Sequence, residues 1–172
     1  MTVDVSMEFT GLKDALRELN TMDKALRRQI TKDFKTIVQP VIARAQSQLP
    51  SGAPLSGMAY AWKGQSGADI MTWQDARMKR NIKAFTSGKK VRETPSGNKQ
   101  NLGIFGIKWA GPQAAIFDML STSKLGSNLT ARYGQPSRII YRSYDIMKDD
   151  VERQVKELVN KVMRLTGKQG NL

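Results

Sequence analysis

One long amphipathic pattern, from Leu12 to Leu49, constrains the fold of this 172-residue chain more than any other feature. Apolar residues recur there at steps of three or four, the spacing of one helix face. They are Leu12, Leu16, Leu19, Met22, Leu26, Ile30, Phe34, Ile37, Val41 and Ala45. An unbroken helix of this length would extend about 57 Å at 1.5 Å per residue, which exceeds the width of a domain of this size. The helix must therefore bend, break or reach into a neighbouring subunit.

The pattern contains two interruptions and one end. Asn20-Thr21 favours helix caps over helix interiors, so we expect a break there. Pro40 lacks an N–H and opposes the carbonyl of the preceding turn. We expect a kink at Pro40 rather than an end, because Val41 and Ala45 continue the apolar face. Pro50–Gly52 then ends the helix.

Three strands are indicated by alternation of apolar and polar residues or by turn-forming residues between them. Thr2–Phe9 alternates with a period of two, which is typical of a half-buried strand. Asn81–Glu93 and Asn101–Trp109 are predicted to be antiparallel strands joined by the turn-forming residues 94–98.

Two further helices are predicted in the second half of the chain. Gly111-Pro112 begins a short one that extends to Leu120. The composition of Ser121–Gly134 is that of a loop. After Gln135–Ser137 we predict one continuous terminal helix, whose apolar face consists of Ile140, Tyr144, Met147, Val151, Val155, Leu158, Val162 and Leu165.

This order of elements predicts a single α+β domain over residues 1–172. A small antiparallel β-sheet is covered on one face by two long amphipathic helices. An extended loop at 51–67 and a basic β-hairpin at 79–109 project from this framework. Tyr60 and Trp62 lie in the loop, where they either fold back on the core or form a contact patch for another subunit.

The composition argues against catalysis. The sequence has no histidine and no cysteine, so it lacks the usual general base, the commonest metal ligand and any thiolate chemistry. Ser121 and Lys124 match a serine–x–x–lysine pattern, but such short matches are common by chance. The acidic residues Asp145, Asp149, Asp150 and Glu152 suit the start of a helix better than a metal site. We therefore expect no enzyme activity, no cofactor and no metal.

The sequence also indicates where the chain is made. Nothing in it approaches eighteen consecutive apolar residues, and the acidic N-terminus does not resemble a signal peptide. We expect synthesis in the cytoplasm and no membrane contact.

The basic residues form the strongest functional signal, because the chain carries a net charge of +13. Between Arg77 and Lys99 there are eight cations and the single acid Glu93. This segment therefore carries a net charge of +7, just over half of the total. The cations are Arg77, Lys79, Arg80, Lys83, Lys89, Lys90, Arg92 and Lys99. Three interpretations remain open: contact with the DNA backbone, contact with an acidic protein, and protection of an exposed hairpin edge by lysines.

Several segments in order resemble a phage protein family. The first strand ends in "FTGL", and the long helix contains "MDKALRRQI" and "VQPVIARAQSQLP". After the basic strands, "AAIFDMLST" precedes a glycine-containing loop and "GQPSRIIYRSYD" enters the terminal helix. This order is similar to that of the tail-completion, or head–tail joining, proteins of long-tailed phages typified by the lambdoid phage Hong Kong 97. Ser137 stands after Gln135-Pro136 where the family has an aromatic residue.

The resemblance implies a structural role in the virion. The chain would be a neck or tail-end component that forms a homo-oligomeric ring, a hexamer or a dodecamer, around the DNA channel. Its partners would be other neck and tail proteins, such as the connector or stopper and the tail terminator or tail tube. Genomic DNA passing through the lumen would be a further partner.

Overall fold

The computed structural model describes residues 2–10, 14–18, 24–63, 69–70, 72–93 and 99–166. Five strands are assigned in these ranges: β1 (Thr2–Thr10), β2 (Trp62–Lys63), β3 (Asp69–Ile70), β4 (Ile82–Glu93) and β5 (Lys99–Ala110). The helices are α1 (Lys24–Ser47), α2 (Asp75–Arg80), α3 (Pro112–Met119), α4 (Ser123–Tyr133), α5 (Ile140–Asp145) and α6 (Lys148–Leu165). Residues 14–18 are also helical, and Ser56–Met58 form a 3₁₀ turn.

The main sheet is antiparallel and has the strand order β1-β5-β4. Its central strand β5 carries the buried side chains Ile104, Phe105, Ile107 and Trp109. A second, two-stranded sheet pairs β2 with β3 and places Trp62 opposite Ile70. The predicted α+β class, with helices packed on a small antiparallel sheet, is confirmed.

Contacts divide the chain into two compact units, each discontinuous in sequence. One unit comprises Met1–Val5, Val41–Lys83 and Ile107–Ile146, and the other comprises Ser6–Pro40, Ala84–Gly106 and Met147–Leu172. In the second unit Phe105 stacks on Phe34, with ring centroids 4.6 Å apart, and meets Phe9 edge-on at 6.4 Å.

The first unit has its own aromatic core. Phe117 meets Trp73, Trp109 and Tyr133 edge-on, with centroid distances of 5.4, 6.1 and 5.1 Å. The indole N–H of Trp109 donates to the carbonyl of Met78 at 3.0 Å, so this buried ring has its polar atom satisfied.

The long first helix continues through Pro40, as the apolar pattern predicts. Val38, Val41 and Ala45 are buried on either side of the proline, whereas Pro40 itself faces solvent. Burial of the apolar face outweighs the hydrogen bond that proline cannot make. The predicted break at Asn20-Thr21 lies outside the described residues.

The predicted loop at Ser121–Gly134 is wrong, because most of it forms α4. Its composition conceals the helix, since Gly126, Asn128 and Thr130 all have low helix propensity. Tertiary packing overrides that propensity: Leu129 is fully buried, and a Cβ at Gly126 would lie only 2.6 Å from the carbonyl carbon of Ser121. The glycine thus allows a close backbone approach that a larger residue would prevent.

The terminal segment is two helices rather than one. The predicted apolar face is buried from Ile140 to Val162, except for the half-buried Met147, but α5 ends at Asp145 and α6 begins at Lys148. Asp149 and Asp150 occupy the first turn of α6, where the helix dipole favours carboxylates. The acidic cluster therefore marks a helix start inside the continuous apolar pattern.

The loop at 51–67 contains the 3₁₀ turn and strand β2.

Within the described ranges, no helix has the length and apolar character needed to span a membrane.

Candidate functional site

A buried polar centre lies in the first unit, where the end of α3 meets the segment before α5. Asp118 is 0 % exposed and Arg138 is 3 % exposed. Asp118 belongs to a helix of mainly buried residues, since Ala114, Ala115 and Phe117 of α3 are buried as well. Burial of charged groups is costly unless they are hydrogen-bonded, so the partners of both residues define what the centre does.

Asp118 connects α3 to the backbone that precedes α5. Its Oδ1 accepts a hydrogen bond from the Ile139 amide at 2.6 Å, and its own carbonyl accepts one from the Ser137 amide at 2.7 Å. Ser137 has a φ of 68°, a left-handed conformation that is uncommon for a residue with a side chain. The bond to Asp118 fixes this turn, and the carboxylate faces the start of α5.

The Arg138 guanidinium donates hydrogen bonds to the C-terminal ends of two helices. Its Nη1 donates to the Phe117 carbonyl at 2.6 Å and its Nη2 to the Leu120 carbonyl at 3.0 Å, both at the end of α3. Its Nε donates to the Gly134 carbonyl at 2.8 Å and its Nη2 also to the Thr130 hydroxyl at 3.0 Å, at the end of α4. A cation is favourable at helix C-termini, and here one guanidinium serves two of them.

The charges of the centre are only partly compensated. Burial raises the pKa of the Asp118 carboxyl, while the Ile139 amide and the nearby charge of Arg138 oppose the rise. Burial also lowers the pKa of the Arg138 guanidinium, which the charge of Asp118 opposes. Asp118 Oδ2 is buried without a hydrogen-bond partner. Both side chains lie below the surface, and their hydrogen bonds connect the ends of α3 and α4 to the start of α5.

Sequence reasoning did not identify Asp118 and Arg138 as site residues. The available signal was weak: one acid within the apolar run Ala114–Leu120, and one cation directly before Ile139-Ile140. Charged residues in such positions are buried only when the fold supplies partners, and here the hydrogen-bond partners lie 4 to 21 residues away.

The loop that contains Tyr60 is anchored at two points before this residue, at Pro54 and at Met58. The Pro54 carbonyl accepts hydrogen bonds from Arg132 Nη1 at 3.0 Å and the Tyr133 hydroxyl at 3.3 Å. Beyond it, Met58 is buried and its carbonyl accepts from the Trp73 amide at 3.0 Å. Tyr60 follows this anchor and is 73 % exposed.

Trp62, in β2, is half-buried. Tyr60 is therefore an exposed aromatic residue on an anchored loop, a feature enriched at protein interfaces. That Tyr60 and Trp62 contact another subunit stays a prediction.

The basic residues are divided between a helix and a hairpin. Lys79 and Arg80 end α2, and Lys83 follows on β4; all three are exposed. Arg77 is half-buried and has an interaction partner. The predicted hairpin at 79–109 therefore begins with the end of a helix, and its strands span 82–93 and 99–110.

Two contacts connect the residue before β4 to the end of β5. The Ala110 amide donates to the Asn81 carbonyl at 3.2 Å, and the Asn81 side-chain amide donates back to the Ala110 carbonyl at 3.0 Å. Lys89, Lys90 and Arg92 belong to β4 and Lys99 to β5, but their side chains lie outside the described part of the structure.

The residues of the two weak chemical leads lie at or near the protein surface. Ser121 and Lys124 are both solvent-exposed. Asp150 pairs with Arg153 on α6 and accepts from Gln154 at 2.7 Å. The described residues contain no group of three or more side chains that could hold a metal ion.

No known family model, curated protein or solved structure matches this chain.

Proposed function

We propose that this chain is a structural virion protein of a tailed phage. It acts as a tail-completion or neck component that joins the tail to the head-side connector as part of an oligomeric ring. Its site of action is the tail or neck of the virion.

The buried polar centre is the observation that carries this proposal. The two segments that resemble the phage family in the second half of the chain, "AAIFDMLST" and "GQPSRIIYRSYD", are separated in sequence by the residues of α4. They meet through Asp118, Arg138 and Ile139. This supports the view that the segments form one structural unit and that their order reflects a shared architecture.

The surface features fit an assembly role. The anchored loop presents Tyr60 to solvent, and the α2–β4 junction presents Lys79, Arg80 and Lys83. Neck components need surfaces for subunits of their own ring and for the rings above and below. An acidic surface on a neighbouring ring would suit the basic residues.

The test is a phage population that lacks this chain, examined by electron microscopy. We expect full heads and complete tails that remain separate, and joined particles when the intact chain is supplied in trans. Supplying a misfolded variant in trans serves as the matched control for expression. Heads and tails that join normally without the chain would remove the proposal.

A second function, sequence-independent DNA binding, is favoured by the exposed cations at the α2–β4 junction. It requires duplex affinity that falls steeply with salt, since each phosphate contact releases counterions. Charge reversal at Lys79, Arg80 and Lys83 should then weaken binding to all duplex sequences alike. Unchanged affinity after that reversal would exclude this function for the junction.

A further inference from the structure

The outer strands of the main sheet carry opposite charges. The strand order places β5 in the centre, so β1 and β4 are its outer strands. β1 contains the acids Asp4 and Glu8 and no base, whereas β4 contains four bases and the single acid Glu93. In the described part of these strands, Asp4 and Lys83 are both exposed.

Two hydrogen bonds show which backbone groups face away from β5. The Tyr141 hydroxyl donates to the Asp4 carbonyl at 2.9 Å, so the backbone groups of Asp4, and by alternation those of Ser6, point outward from the sheet. On the other side, the Asn81 carbonyl accepts from β5, so the next residue, Ile82, and by alternation Thr86, point outward. Tyr141 contacts the edge of β1 at Asp4. The part of this edge that starts at Ser6 follows that contact along the strand.

The opposite charges of β1 and β4 favour pairing of a β1 edge with a β4 edge over pairing of two identical edges. Outer strands are templates for pairing with another chain, and proteins commonly prevent this with charge. Here two β1 edges would repel each other, and so would two β4 edges, whereas a β1 edge and a β4 edge attract. Contacts between two different patches propagate from subunit to subunit and can close into a ring, whereas contacts between identical patches end at a dimer.

We propose that copies of this chain associate by pairing the β1 edge of one copy with the β4 edge of the next. The occupant of each edge is a second copy of this chain. The closure of such contacts into a ring rests on the proposed function, but the pairing of edges does not.

Thiol cross-linking tests this pairing, because the sequence has no cysteine and therefore no background reaction. Ser6→Cys and Thr86→Cys place one thiol on each edge, and both positions are exposed. A bifunctional reagent with a reach of about 8 Å tolerates a register offset of two residues, given the spacing and rise of strands. We expect the double variant to form a ladder of dimers, trimers and larger species.

The controls separate edge pairing from random collision. Each single variant should remain monomeric under the same conditions. The pair Ser6→Cys with Gln39→Cys places the second thiol on an exposed position of α1 and should give no ladder. Dimers formed by either single variant as fast as by the double variant would indicate pairing of identical edges and would overturn the proposal.

Charge exchange provides a second, independent readout at low salt. Asp4→Lys or Lys83→Asp alone reduces the charge difference between the two edges and should slow ladder formation about twofold to fivefold, the range of a single charge interaction between strands. The double exchange should restore the rate. Absence of a ladder in the natively folded thiol variant, judged by circular dichroism, would also overturn the proposal.

The outcomes for the edges and for the proposed function are distinguishable. A ladder in a protein whose loss leaves head–tail joining intact would retain the edge pairing and reject the neck role. Loss of joining without any ladder would retain the neck role and reject the edge pairing.

Discussion

Replacement of Arg138 by alanine should be one of the most destabilising single changes in the first unit. The guanidinium is 3 % exposed and donates four hydrogen bonds, to Phe117, Leu120, Thr130 and Gly134. Removing one partner of a buried charged network typically costs about 3–5 kcal/mol. For a chain of 150–250 residues each kcal/mol lowers the melting temperature by about 2–4 °C, so the expected fall is roughly 6–20 °C.

Chemical and thermal unfolding of matched variants would measure this effect. Arg142 is the control, because its exposed guanidinium also donates to backbone carbonyls, at 3.0 Å to Gln135 and 3.5 Å to Tyr133. Arg142→Ala should cost less than about 1 kcal/mol, as expected for exposed hydrogen bonds. Arg138→Lys should fall between the two, since one ammonium cannot satisfy two helix ends.

A double-mutant cycle would identify the origin of the loss. Arg138→Ala leaves the carboxylate of Asp118 without its nearby cation, so adding Asp118→Asn should recover part of the lost stability through a coupling of about 0.5–3 kcal/mol. The reasoning would be refuted if Arg138→Ala were no more destabilising than Arg142→Ala.

Three further predictions concern single side chains. Burial raises the pKa of Asp118, so the folded state holds this proton more tightly than the unfolded state. The contribution of Asp118 to stability is therefore greatest below pH 3.8, its ordinary pKa, and is lost as the pH rises through the folded-state pKa. Denaturant titrations at several pH values should show that Asp118→Asn removes this fall in the free energy of unfolding. If the free energies of unfolding of the two proteins changed with pH in parallel, Asp118 would not be its source. Leu129→Ala should cost about 2–5 kcal/mol because the side chain is fully buried, whereas Lys124→Ala on the same helix should be nearly neutral by thermal unfolding. Tyr60→Ser should leave the melting temperature within about 2 °C and weaken subunit association measured by light scattering, and equal association would remove Tyr60 from the contact surface.

The elements that sequence patterns predicted correctly are those whose signal is local and repeated. The period of β1 and the apolar face of α1 each extend over many residues, so a single exception such as Pro40 does not hide them. β4 and β5 were likewise predicted to within two residues at each end. Burial of a repeated apolar face is the term that dominates such segments.

The errors occurred where packing contacts, rather than the local sequence pattern, decide the structure. α4 exists because Leu129 reaches the core and Gly126 fits against Ser121, and neither contact appears in the local composition. The end of α5 at Asp145 interrupts an unbroken apolar pattern, and only the acids at the start of α6 indicated it.

The polar centre was hidden for the same reason. A buried carboxylate and a buried guanidinium are acceptable only with hydrogen-bond partners, and the partners of Asp118 and Arg138 lie up to 21 residues away. For Tyr60, in a segment rich in glycine, serine and proline, the sequence left open a position on the core or on the surface, and the structure exposes it.

An image of the assembled particle, with this chain labelled at its C-terminus, would test the central claim most directly. The account predicts label only at the junction between head and tail, arranged as a closed ring around the channel. Label distributed along the tail or inside the head, or an absence of label from mature particles, would contradict it.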